Sequence, residues 1–147
     1  MNTPQNAQPI LLPGAVTRLF KAWNDHSPTA LAAVLHVDYV SVHPLHPERN
    51  SSGRDRAVMA WQAQFMAVPD LRADVVGWAQ LGSEVWTEIR WSGTHVLGQP
   101  FRAAGVLIFE VAGDQVTGAR VFSEILRPIG PDWDAVLDEI LSKPAID

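Results

Sequence analysis

The sequence predicts an α+β fold in which helices pack on one face of a curved antiparallel sheet and enclose a pocket. Up to residue 70, apolar residues recur mainly at helical spacing. Residues 71–125 instead contain four runs of β-branched and aromatic residues, separated by short gaps with Gly and a polar residue or Pro. Such gaps force antiparallel neighbours, because a parallel return needs a crossover of about a dozen residues. Three runs exceed ten residues, which favours a bent sheet.

The N-terminal half predicts three helices and one strand. The first helix is expected over residues 14–24, the second after the N-cap Ser27, and the third over residues 54–67, with Ser52 and Asp55 resembling a capping box at its start. A strand over residues 37–43 follows the second helix. Its two-residue period places Tyr39, Ser41 and His43 on one face.

The C-terminal half predicts the meander and a last helix. Strands are expected over residues 71–78, 84–95, 101–111 and 115–125. Asp132 is expected to cap a helix whose apolar residues lie on one face. We therefore divide the chain into a loose arm (1–13), one domain (14–127) and a C-terminal helical extension (128–147).

The composition restricts the classes of function. A chain of 147 residues without cysteine is expected to fold as one domain without disulfides or thiol chemistry. The net charge of −5 and the absence of a basic run argue against nucleic-acid binding. No apolar run approaches the roughly 18 residues of a membrane span. We expect a cytoplasmic protein that binds neither nucleic acid nor membrane.

Several short motifs resemble one family. Residues 20–26 (FKAWNDH), 53–55 (GRD), 91–95 (WSGTH) and 113–116 (GDQV) look like the SnoaL-like polyketide cyclase domains of the nuclear transport factor 2-like superfamily. The resemblance implies a cone-shaped curved sheet closed by three N-terminal helices. It also implies a pocket for a small apolar ligand and a homodimer formed through the outer face of the sheet.

The resemblance implies two candidate catalytic residues. Ketosteroid isomerases of the superfamily use an Asp before a Pro at the end of the first strand, and His43 occupies that position. Their two oxyanion donors would fall near Leu19 and Leu107, which cannot donate hydrogen bonds. The acid on the last strand that cyclases and epoxide hydrolases use falls on Glu124.

Each candidate has a structural interpretation as well. Inside an apolar pocket, Glu124 would have a raised pKa and could exchange protons near neutral pH, but a strand-end Glu can equally form an ion pair with Arg120 or Arg127. His43 could titrate near physiological pH, or it could be a rim histidine bonded to a backbone carbonyl. Both interpretations stay open for both residues.

Four further residues are expected to shape the pocket, and no metal site is predicted. Tyr39 and Ser41 share the face of His43, and Trp23 and Trp91 are candidate pocket walls, whereas Trp61 and Phe65 are assigned to the core. His43, His46 and His95 lack the regular spacing of a helical zinc motif, and no acidic residue completes a ligand set.

The leading hypothesis is a cofactor-independent enzyme that transfers protons on an apolar, carbonyl-bearing ligand. Glu124 and His43 would be its acid and base. The alternative is a non-catalytic ligand-binding or dimerisation module, which the missing oxyanion donors favour. A divergent hydrolase or dehydratase is a third option, although the Arg-Asp pair of the epoxide hydrolases would fall on Ile89 and Trp91.

Overall fold

The computed structural model describes residues 12–127 and 130–142 and confirms the predicted α+β fold. Most of the predicted loose arm, residues 1–11, lies outside the described residues, as do residues 128–129 and 143–147 of the predicted extension. The helices are α1 (Gly14–Asn24), α2 (Pro28–Val34), α3 (Arg54–Ala67) and α4 (Trp133–Ser142). The strands are β1 (Leu35–Val42), β2 (Ser51–Ser52), β3 (Arg72–Leu81), β4 (Glu84–Thr94), β5 (Pro100–Ala112) and β6 (Gln115–Ile125).

The strands form one open, mixed sheet in the order β2-β1-β6-β5-β4-β3. The four strands β3 to β6 are antiparallel neighbours, as the short turns predicted. Strand β1 joins the meander in parallel with β6, with Ser41 opposite Ala119. The chain between β1 and β6 spans most of the domain. It is therefore long enough for the crossover connection that a parallel pair of strands needs.

Helices α1, α2 and α3 share one hydrophobic core with the sheet. The helical spacing of Val16, Leu19, Phe20 and Trp23 makes one side of α1 apolar, and all four side chains are buried. At the end of α1, the Asn24 side chain donates to Ala73 O (3.0 Å) and accepts from Ala73 N (2.8 Å). This pair of bonds fixes α1 against β3.

Two of the three predicted helix caps are confirmed. Ser27 Oγ accepts from Ala30 N (3.1 Å) at the start of α2, and Asp132 Oδ1 accepts from Ala135 N (2.9 Å) at α4. The capping box predicted from Ser52 and Asp55 is wrong. Gly53 is the N-cap of α3, with φ +95° and no side-chain cap, because Ser52 belongs to the short strand β2 that pairs with β1.

Irregularities in pairing bend the sheet. The register shifts between Val75 and Gly77 on β3 and between Glu110 and Val111 on β5. At Gly105 of β5, a Cβ atom would lie 2.2 Å from Phe122 O and 2.4 Å from Ser123 Cα. Glycine at this position therefore allows β5 and β6 to approach closely beside the pocket.

The C-terminal helix α4 has an exposed apolar side. Trp133, Ile140 and Leu141 are 70%, 62% and 82% exposed. Within the two described stretches, no helix is long and apolar enough to cross a membrane.

Candidate functional site

A cavity of about 360 Å³ lies between the helices and the inner face of the sheet. Its wall combines an aromatic and aliphatic part with a polar part. The lining residues are Trp23, Tyr39, Ser41, His43, Arg49, Ser51, Ala57, Ala60, Trp61, Gln64, Leu71, Trp91, Phe101, Ala103, Leu107, Val121, Ser123 and Ile125. The volume lies near the lower end of the range for small-molecule sites.

Alternate residues of β1 supply a polar row to this wall. The structure places Tyr39, Ser41 and His43 together on the lining, as the two-residue period predicted. Ser41 Oγ lies 3.2 Å from His43 Nε2 and also forms a hydrogen bond with the Tyr39 hydroxyl. One serine thus connects the phenol to the imidazole.

Burial shifts the pKa of both titratable groups in this row. Burial raises the pKa of Tyr39 to about 12, and the hydrogen bond with Ser41 opposes the rise, so the phenol is neutral and can donate. Burial lowers the pKa of His43 below its usual 6.5. The positive charge of Arg49 and the neighbouring His46 lower it further, whereas Glu48 acts in the opposite direction. The imidazole is therefore mainly neutral at pH 7 and can accept a proton.

Tryptophans form the apolar part of the wall. Trp23 lies against Trp61, with ring centroids 4.7 Å apart, and 6.3 Å from Trp91. Trp23 and Trp91 occupy the positions predicted for pocket walls, and Trp61, assigned to the core, also lines the cavity, whereas Phe65 is buried outside the lining. The Nε1 atoms of Trp23 and Trp91 are buried and have no hydrogen-bond acceptor among the described residues.

The polar part also contains residues that the sequence did not indicate. Arg49 and Ser51 reach the lining because β2 turns back beside β1, with Ser51 opposite Ser41. Asn50 Oδ1 accepts from His43 N (2.7 Å) and closes the connecting loop. The sequence did not predict β2, because a strand of two residues leaves no periodic signal.

Glu124 does not line the cavity. Its neighbours Ser123 and Ile125 do, and Glu124 lies on the opposite face of β6, opposite Ala104. Its carboxylate forms a hydrogen bond with His46 Nε2, and the side chain is 51% exposed. The two predicted catalytic residues are therefore not brought together: His43 lies at the cavity and Glu124 outside it.

The cavity wall contains no carboxylate in the described part of the chain. Tyr39, His43 and Arg49 are the ionisable residues that line it. Nor do three or more His, Asp or Glu side chains converge on a possible metal position anywhere in residues 12–127 and 130–142. Proton transfer in this cavity would therefore depend on the imidazole.

Comparisons with known proteins agree with this architecture. The family model described as the SnoaL-like domain matches residues 16–119. No functionally curated protein gave a significant match.

Solved structures with the same fold share little sequence with the chain. A candidate SnoaL-like polyketide cyclase from Jannaschia sp. CCS1 has 22% identity and a TM-score of 0.64, with 88% of this chain and 91% of that chain covered. IdmH, a candidate polyketide cyclase from Streptomyces antibioticus, has 20% identity and a TM-score of 0.66, with coverage of 86% and 95%. A Catenulispora acidiphila protein with a ketosteroid isomerase-like fold, solved with trimethylamine, has 18% identity, a TM-score of 0.67 and coverage of 76% and 86%. The family match over most of the domain, on the fold described above, shows that this chain belongs to the SnoaL-like domain family.

Proposed function

We propose that the protein binds a small, mainly apolar, carbonyl-bearing molecule in the cavity and transfers protons on it, with His43 as the base. The observation that carries this proposal is the position of a neutral imidazole on the wall of an aromatic cavity. Removing a proton from the carbon next to a carbonyl needs a base whose pKa lies near the working pH, and imidazole meets that requirement. No cofactor takes part in this chemistry.

The neighbours of His43 support this role. The bond between Ser41 and His43 fixes the ring, and Tyr39 provides a neutral donor in the same row. In the proposed step the imidazole takes a proton from the ligand and returns it at another carbon or oxygen, so that the protein is unchanged at the end. Glu124 has no direct part, because its carboxylate bonds His46 on the opposite face of β6.

A non-catalytic binding module is the second candidate. Two observations favour it. The wall has no carboxylate to share the proton transfer, and Leu107, at the position of a family oxyanion donor, is an apolar part of the lining. Under this alternative the cavity holds its ligand without exchanging protons with it.

Proton exchange on a model ketone separates the two candidates. 2-Tetralone is a flat bicyclic ketone with acidic protons next to the carbonyl, and their replacement by deuterium in D2O can be followed by proton NMR. We expect the protein to accelerate this exchange. The exchange rate with His43→Gln should be roughly 100-fold or more lower than with the wild-type protein. The matched control is His36→Gln, an imidazole of the same strand that is not in the lining.

The outcomes assign the function directly. Acceleration that survives His43→Gln would reject His43 as the base. Saturable binding of 2-tetralone without acceleration would favour the binding module, and loss of activity in both variants would point to a general effect on folding.

We also propose that the protein forms a homodimer through the outer face of the sheet. This face exposes Trp86 (41%) and Val40 (40%), and the guanidinium of Arg120 lies 5.9 Å from the Trp86 ring centroid. Trp86→Glu should convert a dimer to a monomer in sedimentation experiments, whereas the control Trp133→Glu on α4 should not. A wild-type protein that sediments as a monomer would reject the proposal.

A further inference from the structure

Arg49 places a positive charge on the polar part of the cavity wall. Arg49 has no carboxylate within 4.0 Å among residues 12–127 and 130–142, in contrast to Arg72 and Arg120, which pair with Asp74 and Glu84. The cavity wall contributes no Asp or Glu either. Glu48, whose negative charge acts on His43, is not among the residues that line the cavity.

The groups around Arg49 are suited to an anion. Ser41, Ser51 and Ser123 line the same cavity, and each hydroxyl can donate a hydrogen bond. The guanidinium of an arginine presents paired N–H groups that match the two oxygens of a carboxylate. Arg49 is exposed, so a ligand carboxylate can reach its guanidinium from solvent.

The tryptophans of the cavity wall limit the shape of the ligand. Trp23, Trp61 and Trp91 provide flat apolar surfaces, and aromatic rings pack against such surfaces in stacked or edge-on arrangements. A volume of about 360 Å³ suits a body of one or two fused rings better than a long multi-ring molecule.

We infer that the ligand is an amphipathic anion, a flat aromatic body with a carboxylate that binds Arg49. This inference rests on the proposed function and names the substrate class for the same cavity. The aromatic body lies among the tryptophans, and the carboxylate lies at the rim beside His43. The reactive carbonyl group of the ligand then lies beside the polar row of β1, within reach of His43.

A matched pair of probes tests the inference. 2-Naphthoate and 2-naphthamide have the same ring system and nearly the same shape, but only the first is an anion at pH 7.5. We expect calorimetric titration of the full chain to show roughly twofold to tenfold tighter binding of 2-naphthoate, because a hydrogen bond between charged groups is stronger than a neutral one, whereas water screens the exposed Arg49.

Two variants with the same change in net charge locate the effect. Arg49→Gln should remove the preference for 2-naphthoate and leave the affinity for 2-naphthamide within about twofold. Arg56→Gln, an exposed residue of α3 outside the lining, should keep the preference. Circular dichroism and melting temperature confirm that each variant is folded.

Three results would overturn the inference. Equal affinities of the wild-type protein for the two probes would reject it and leave the proposed function standing. A preference that persists in Arg49→Gln, or that Arg56→Gln also removes, would show that the anion is not bound by Arg49. Binding of neither probe would reject this inference, and the proposed function would fail with it only if 2-tetralone exchange were not accelerated either.

Discussion

Ser41 Oγ lies 3.2 Å from His43 Nε2, two residues further along the same face of β1. Because side chains two residues apart in a strand point the same way, the strand itself sets this contact. The same serine bonds Tyr39, so three side chains on one strand form a continuous polar row along the cavity. The orientation of the imidazole therefore depends on a single hydroxyl.

Replacing that hydroxyl should weaken the base without removing it. We expect Ser41→Ala to lower the rate of 2-tetralone exchange roughly twofold to tenfold, the equivalent of one hydrogen bond of about 0.5–1.5 kcal/mol. Loss of the partner of the buried Tyr39 should also lower the free energy of unfolding by about 1 kcal/mol. Ser52→Ala, at an exposed serine of β2, is the control. An unchanged exchange rate in Ser41→Ala would show that the hydroxyl does not position the imidazole.

His43 should titrate below the usual range of histidine. Its pKa is lowered by burial and by Arg49 and His46, so the unfolded chain binds this proton more readily than the folded protein. The contribution of His43 to the free energy of unfolding is therefore fully present above pH 6.5. It decreases as the pH falls from 6.5 towards the pKa of His43 in the folded protein. Histidine ring NMR titration, with His43→Gln to assign the signal, measures the pKa directly. A value at or above 6.5 would contradict the prediction.

Glu124→Gln should leave proton exchange nearly unchanged. The carboxylate lies outside the cavity and pairs with His46 in a half-exposed position, so its removal should cost no more than about 1 kcal/mol of stability. We expect exchange rates within about twofold of the wild type. A loss comparable to that of His43→Gln, with folding intact, would place Glu124 in the reaction.

Gly105 should not tolerate a side chain. A Cβ atom there would lie 2.2 Å from Phe122 O, so Gly105→Ala should force β5 and β6 apart and lower the free energy of unfolding by about 1–3 kcal/mol or more. Gly77→Ala is the control, because no atom lies within 4 Å of its added Cβ. Denaturant unfolding measures both, and equal midpoints would contradict the prediction.

Filling part of the cavity should weaken binding of a neutral probe. Ala103 lines the cavity, whereas Ala104 is the next residue of β5 and points to the other face. We expect Ala103→Leu to weaken binding of 2-naphthamide at least roughly tenfold, because the added side chain occupies the space of the ligand. The affinity of Ala104→Leu for 2-naphthamide should equal that of the wild-type protein. Equal binding by both variants would place the probe elsewhere.

Periodicity predicted most of the fold. The observed bounds of α1, α3 and β6 coincide with the predicted ones, and the other long strands differ by one to three residues at their ends. Apolar spacing of helices and alternation in strands are strong over such lengths. The short strand β2 and the parallel pairing of β1 with β6 depend on distant contacts, which local patterns do not encode.

The orientation of β6 shows why part of the site could not be predicted. Counting every second residue from the buried Val116 would put Glu124 on the inner face, where the family resemblance also placed it. The pairing register shifts, however: Val111 lies opposite Val116, and Glu110 lies opposite Gly118. The extra residue, Thr117, reverses the alternation, so that Ser123 faces the cavity instead.

The parallel pairing of β1 with β6 has a consequence for how the site is made. Partners such as Ser41 and Ala119 are separated by most of the domain's length, and contacts between such distant residues form slowly because the intervening chain must first be ordered. The wall that carries His43 is then one of the last parts to assemble. In a chain still emerging from the ribosome, β1 has no sheet neighbour except the two-residue β2 until β6 has been made, so the binding site cannot form before then.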